Sequence, residues 1–218
     1  MPDERNGCNL MSQLSYWDEL HRRERLAPFS LKESPFAAKV AAGLRTPHRI
    51  LELGCGTGAD AVYFSKLGHE VVATDGSAEA ISASSLRING SLRFAVQDMR
   101  EPFAFPDGSF GLVYARLSIH YFSDIETRRI VDEVHRVLGP GGRFFFMCKS
   151  VQDPLWGQGV RVGPNMYDLG GHVRHFFSPD YIRTILNPRR FLTEGILSSC
   201  ERLYGYDSAL IEAVAAKI

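Results

Sequence analysis

The sequence predicts one α/β domain, a parallel sheet covered by helices on both faces. Three observations carry this. Between His48 and Ser150 short apolar runs of strand character alternate with segments of helical period. The run in "GRFFFMCKS" (142–150) holds five apolar residues without a break, as in a strand buried on both faces. At 218 residues the chain suits one well-cored domain with some decoration and is short for two.

The elements follow in order. Residues 1–11 have no apolar period and are expected to form a flexible N-terminus, leaving 12–218 as a single domain. A first helix is expected over about 12–24, with Leu14, Trp17 and Leu20 on one side. A second begins at Ser34, an N-cap followed by Pro35 at the first helical position, and together these cap helices occupy 12–45. "HRILEL" (48–53) is the first strand; "GADAVYFSKLG" is a helix closed by Gly68. "HEVVATD" (69–75) is a strand, "SAEAISASSLRI" a helix, and "LRFAVQD" (92–98) and "FGLVYAR" (110–116) are two further strands. Ser123 and Glu126 have capping-box spacing for a helix that Gly139-Pro140 stops. Residues 151–178, rich in glycine and aromatic residues, are expected to be a long loop that covers a substrate. A short helix at 179–187 and the closing segments "FLTEGILSS" and "SALIEAVAAK" complete the chain.

Composition limits the function classes. Lysine plus arginine total 25 and aspartate plus glutamate total 25, so there is no net charge to attract phosphate backbones or anionic membranes. Neither a nucleic-acid nor a membrane partner is expected. The four cysteines, Cys8, Cys55, Cys148 and Cys200, have no CxxC spacing, which argues against a disulfide framework and a zinc site. No apolar run approaches the ~20 residues of a membrane span, and the N-terminus lacks a signal-peptide core. A cytoplasmic protein, monomer or homodimer, is expected.

The chemistry centres on "LELGCGTGAD" (51–60). It lies where a parallel strand ends and a helix begins, the place where open α/β sheets bind ligands. Its glycines let the backbone approach a ligand closely, and free amides there favour a phosphate or a carboxylate. Two readings compete. Gly54, Gly56 and Ala59 satisfy the dinucleotide fingerprint, with Asp75 roughly 20 residues on as the ribose-binding acid. That reading implies an NAD(P)-dependent oxidoreductase.

The other uses Glu52, Gly54, Gly56 and Gly58 as E-x-G-x-G-x-G. This resembles motif I of the class I S-adenosylmethionine-dependent methyltransferases. Downstream, "VQDMREPFAFPDGSFGLVYARLSIHYF" and "EVHRVLGPGGRFFF" follow in the order of that family's later motifs. The resemblance covers residues 35–218 and implies a Rossmann-like seven-stranded mixed sheet in three αβα layers, closed by a reversed hairpin. It implies S-adenosylmethionine as cofactor. Tyr16, Glu52, Gly54, Cys55, Gly56, Gly58, Asp75, Gly76, Asp98, Met99 and Arg116 would form its site, Asp75 on the ribose hydroxyls, Asp98 on the adenine amino group and Met99 against the ring. "YWDELHRRE", "LSIHYFSD" and "GHVRHFFSPDYIRTIL" resemble small bacterial methyltransferases of the tellurite-resistance type, which implies a small-molecule acceptor.

A sulfonium methyl is already activated, so such an enzyme mainly positions the nucleophile and excludes water. A base is needed only for an acceptor that is protonated at neutral pH. His120, after the fourth strand, is the candidate base, with Ser118, Tyr121, Trp156, His172 and His175 as candidate substrate contacts. His172 and His175 alone place no third ligand, so no metal is expected. A non-catalytic S-adenosylmethionine-binding protein, or one using the cofactor's charge for an elimination or rearrangement, remains open at this stage.

Overall fold

Our computed structural model describes residues 15–22, 32–84, 90–203 and 205–218. The expected flexible tail and Leu14 lie outside them. Of the first expected helix, 15–22 is described and is helical (α1). Helix α2 (Pro35–Ala42) starts as the sequence implies: the Ser34 side chain accepts the Ala37 N–H, and Pro35 occupies the first turn.

Strands β1 (Arg49–Leu53), β2 (Glu70–Asp75), β3 (Leu92–Val96), β4 (Phe110–Arg116) and β5 (Leu138–Lys149) alternate with helices α3 (Ala59–Lys66), α4 (Ala78–Ser84) and α5 (Asp124–Val137). Both halves of the capping box at the start of α5 form between Ser123 and Glu126. β5 is longer than its apolar run, since Leu138 already pairs with Phe110 where α5 ends. After the insert come α6 (Pro179–Ile185), β9 (Phe191–Leu203) and β10 (Tyr206–Lys217).

The main sheet has seven strands in the order β3-β2-β1-β4-β5-β10-β9. β1 to β5 run parallel, and β10 is antiparallel to both β5 and β9, so the sheet is mixed. The chain travels outward from β1 to β3 and returns to place β4 on the other side of β1, which opens a crevice beyond the C-terminal ends of β1 and β4. Strand alternation divides the core between the two faces. Ile50, Leu112 and Tyr114 pack with Phe36, Val40 and Phe64 on the α2/α3 side, while Leu51, Val113 and Phe144 pack with Ile130, Val134 and Ile182 on the α5/α6 side.

Residues 151–178 differ from the expected loop. They contain β6 (Val160–Gly163), β7 (Met166–Leu169) and β8 (His172–His175), paired as a separate antiparallel sheet in the order β6-β7-β8. Each strand has four residues, with Pro164-Asn165 turning between the first two and Gly170-Gly171 between the last two, too short for a period-2 pattern to stand out. The insert is tied to β5 by reciprocal backbone bonds around Phe177, whose N–H donates to Lys149 and whose carbonyl accepts from Val151. Among the described residues no helix is long and apolar enough to cross a membrane.

Candidate cofactor and acceptor site

A cavity of about 1020 Å³ opens at the switch point between β1 and β4. The C-terminal ends of β1 to β4 form its floor, and α1, β8 and the end of β9 contribute side chains around it.

The glycine turn is shaped by backbone demands. Gly54, Gly56 and Gly58 all take left-handed φ, at +71°, +49° and +74°. Space is as restrictive as φ at two of them. A Cβ at Gly54 would stand 2.4 Å from the Ser118 Cβ, and one at Gly58 would stand 2.6 Å from the Phe94 ring. The alternate spacing of the motif therefore reflects three left-handed residues in succession across a tight turn, with Gly58 serving as the N-cap of α3. Gly54 and Cys55 both donate to the Thr74 carbonyl, at 2.8 and 2.9 Å, which fastens the turn to β2.

Carboxylates cluster behind this turn. Asp75 ends β2 and accepts the Gly56 N–H at 2.8 Å and the Ser77 N–H at 2.9 Å. Asp60, in the first turn of α3, accepts from the Ser34 N–H and hydroxyl and from the Tyr114 hydroxyl. Glu52 is buried, and its Oε2 has no hydrogen-bond partner. Burial, and then the neighbouring charges of Asp60 and Asp75, raise its carboxyl well above the usual range, with Arg116 opposing. Arg116 pairs with Glu201 at 2.6 Å and leaves its buried Nε–H unpartnered. Burial works against its charge, but Glu201 more than restores it.

Beyond the end of β3, Asp98 is gripped by Arg100 at both oxygens, with distances from 2.5 to 3.0 Å. Burial raises the Asp98 carboxyl, but the side-chain and backbone hydrogen bonds from Arg100 outweigh it and hold it below its ordinary value. Met99 is buried beside it in the cavity wall.

On the opposite side the cavity is aromatic. Tyr16 and Trp17 from α1, Tyr121 from the 3-10 turn Ile119–Tyr121, and His172 from β8 pack ring to ring. Tyr121 stacks on His172 with centroids 5.0 Å apart. α1 also reaches the other end of the cavity, where Asp18 accepts the Ser77 hydroxyl at 2.6 Å. Leu117 takes φ +52° directly after β4 and turns the chain so that the Ser118 hydroxyl bonds the Leu53 carbonyl at 2.8 Å.

The fold brings together, in the cavity lining, Tyr16, Glu52, Gly54, Cys55, Gly56, Asp75, Gly76, Asp98, Met99, Arg116, Ser118, Tyr121 and His172 from the residues named on sequence. Four others stand elsewhere. Gly58 supports the turn from behind, against Phe94. His120 is fully buried and is not part of the lining, because the 3-10 turn presents Tyr121 and directs the neighbouring ring inward. Burial, followed by the Lys149, Arg174 and histidine charges around it, lowers its pKa well below the ordinary value, so the base expected there is not presented to an acceptor. His175 is packed between Phe177 and Tyr181, with Nδ1 at 3.3 Å from the Phe122 carbonyl. Trp156 is exposed, against Tyr167 and Asn165.

Trp17 and Arg174, from the two segments expected to cover the site, also line the cavity, and with them His21, Asp60 and Arg100, to which no role was assigned on sequence. Of these three, His21 had a readable signal, since it lies one helical turn from Trp17 on α1. The roles of Asp60 and Arg100 depend on partners that only folding supplies.

The polar set fits the amino-acid end of S-adenosylmethionine. A buried acceptor at Glu52 Oε2 and a buried donor at Arg116 Nε, both without partners in one cavity, match an ammonium and a carboxylate on the same ligand. They do not suit a pyrophosphate, which would meet Glu52, Asp60 and Asp75 beside the turn.

Residues 51–146 match the methyltransferase domain family. An uncharacterised methyltransferase of Bacillus subtilis strain 168 is 30% identical over 170 residues, covering 76% of this chain and 61% of the relative. A ubiquinone/menaquinone biosynthesis C-methyltransferase of Pasteurella multocida is 31% identical over 129 residues, covering 52% of this chain and 45% of the relative. The chain thus spans between about half and three-fifths of the lengths of these two relatives. In fold, the 1,6-didemethyltoxoflavin-N1-methyltransferase of Burkholderia thailandensis superposes with a TM-score of 0.73 at 19% identity, over 100% of this chain and 91% of that one. The ordered motifs and the domain match agree that residues 51–146 form a methyltransferase domain, and the fold is that of solved S-adenosylmethionine-dependent methyltransferases.

Proposed function

We propose that this protein transfers a methyl group from S-adenosylmethionine to a small-molecule acceptor held on the aromatic side of the cavity. The observation that carries the reading is the pair of unpartnered buried groups, Glu52 Oε2 and Arg116 Nε, beside the glycine turn. The cofactor would supply, when bound, a sulfonium-activated methyl for an oxygen, nitrogen, sulfur or carbon nucleophile of the acceptor, with cleavage of the sulfur–carbon bond leaving S-adenosylhomocysteine.

The chain's own residues do the rest. Glu52 and Arg116 would receive the amino-acid end, and Asp75, with one hydrogen bond at each oxygen, would accept from the ribose hydroxyls. Asp98 and Met99 would border the adenine, with Arg100 giving up part of its hold on the Asp98 carboxylate. Trp17, Tyr121 and His172 exclude water from the reacting end and hold the acceptor in line. Asp75 therefore has two duties, to shape the turn and to bind. The cavity volume lies at the top of the usual range for one small ligand, which leaves room for a cofactor and a small acceptor together.

The comparisons agree with a small acceptor, since the Pasteurella relative is named for quinone biosynthesis and the Burkholderia protein for a toxoflavin precursor. Expression in the cytoplasm, where the cofactor is made available, fits this reading. Mass spectrometry of the protein as purified tests it: bound S-adenosylmethionine or S-adenosylhomocysteine is expected. Tight NADH binding in a fluorescence titration, with no calorimetric response to S-adenosylhomocysteine, would replace it with the dinucleotide reading.

A further inference from the structure

β8 alternates, so His172 and Arg174 reach the cavity from one face while Val173 and His175 point the other way. The Arg174 guanidinium stands 3.1 Å from His172 Nδ1. A guanidinium has only donors, so Nδ1 accepts, and the neutral ring carries its proton on Nε2. That Nε2–H is buried and has no partner, on a side chain only 6% exposed. Burial, and then the Arg174 charge, lower the His172 pKa to about 3. The ring is consequently a fixed hydrogen-bond donor at neutral pH, since its one lone pair is already engaged.

Arg174 is unusual among the cavity's cations. Arg116 is paired with Glu201, and Arg100 with Asp98. Among the described residues Arg174 has no carboxylate within ion-pair distance, and its recorded hydrogen bond is the one to His172. A half-buried guanidinium without an acid, next to an orphaned buried N–H, is a donor set waiting for an oxygen anion. The walls around it, Trp17 and Tyr121, are flat and aromatic.

We propose that the acceptor is a small planar ring compound bearing a carboxylate, anchored by the Arg174 fork and the His172 Nε2–H against the Tyr121 and Trp17 rings. This rests on the methyltransferase reading and names the class of its acceptor. The planar fork of arginine matches the two oxygens of a carboxylate, and a single phenolic oxygen would leave part of it unused. The aromatic walls select a flat ring over an aliphatic acid. In this arrangement Arg174 and His172 hold the acceptor and remove no proton from it.

The experiment is calorimetric titration of the full chain. S-adenosylhomocysteine is titrated first, and the acceptor probes follow in its presence: benzoate, 4-hydroxybenzoate and salicylate against benzamide, 4-hydroxybenzamide and salicylamide. The acids are expected to bind at least tenfold more tightly than their amides. Arg174→Gln is expected to erase that preference, with Arg174→Lys intermediate, and neither to change S-adenosylhomocysteine affinity by more than about twofold. Four outcomes would overturn the proposal: amides binding as well as acids, no member binding, an acid preference that survives Arg174→Gln, or a matching loss of S-adenosylhomocysteine affinity in that variant, which would assign Arg174 to the cofactor. A wild-type protein that fails to bind S-adenosylhomocysteine at all counts instead against the methyltransferase reading.

Discussion

Asp75 accepts the Gly56 N–H at 2.8 Å, so the acid expected to bind ribose also holds the glycine turn in shape. Asp75→Ala removes both functions. Cofactor affinity is expected to fall about ten- to a hundredfold, the equivalent of roughly 1.5–3 kcal/mol. Thermal stability should drop as well, because the Gly56 and Ser77 amides lose their acceptor. Calorimetry with S-adenosylhomocysteine and a melting curve read the two effects separately, and wild-type affinity in the variant would remove Asp75 from the binding site.

The proposed role of Asp98 on the adenine sets it in competition with Arg100. Their ion pair is about three-quarters buried and engages both carboxylate oxygens, so releasing it costs more than the ~0–1 kcal/mol of an exposed pair. Arg100→Met removes that competitor and is expected to leave S-adenosylhomocysteine affinity unchanged or tighter, whereas Asp98→Ala weakens it by about fivefold or more. Equal effects from the two substitutions would mean that Arg100 itself touches the cofactor.

His120 is the position where the structure reverses an expectation. Its ring is buried with neither nitrogen hydrogen-bonded, so it has no path to an acceptor in the cavity. His120→Met, of similar bulk, is expected to keep turnover within about threefold, equivalent to ~0.65 kcal/mol of barrier, because the ring stands outside the cavity lining. A loss beyond tenfold in a folded variant with unchanged cofactor affinity would restore the ring to the chemistry.

Lys149 and Asp153 form an ion pair at 2.9 Å with both side chains almost wholly buried. The ammonium has its remaining donors satisfied by the Tyr206 and Ser208 hydroxyls. This cluster joins β5, β10 and the first turn of the insert. Removing one partner of a buried pair costs about 3–5 kcal/mol. Asp153→Ala is expected to show that loss in denaturant unfolding, while a surface pair such as Arg183 with Asp180 contributes less than ~1 kcal/mol when broken.

Acid should weaken the fold through its buried histidines, His120 as well as His172 and His175. Burial lowers the pKa of His172 to about 3 and that of His175 to about 4, the latter partly restored by the Phe122 carbonyl and Asp124. Unfolded histidine titrates near ~6.5. Between that pH and the folded values the unfolded chain binds more protons, so stability is full above about 6.5 and declines as pH falls. Each ring adds a slope of up to ~1.4 kcal/mol per pH unit in that window. Glu52, with its raised pKa, contributes the opposite sign. His175→Phe is expected to flatten the stability profile between pH 6 and 4.5, and an unchanged slope would mean that the ring is hydrated in solution.

Much of the fold and half of the site were legible in the residues. The strand runs, the Ser34 and Ser123 caps and the glycine turn are local signals, each written within a few neighbouring residues, and the family order of motifs extended them to seven strands. Gly54, Gly56 and Gly58 were readable for the same reason: a left-handed backbone leaves a mark in the sequence. Tertiary structure decided the rest. A one-residue difference in a 3-10 turn sent Tyr121 to the cavity and His120 to the core, and the pairing of four-residue strands put Arg174 beside His172 while turning His175 away. Such choices depend on which face of a short element meets the core, and a short element carries too few residues to record its phase. The orphaned atoms of Glu52 and Arg116 are likewise a property of packing, since only the folded chain shows which polar groups are left without partners.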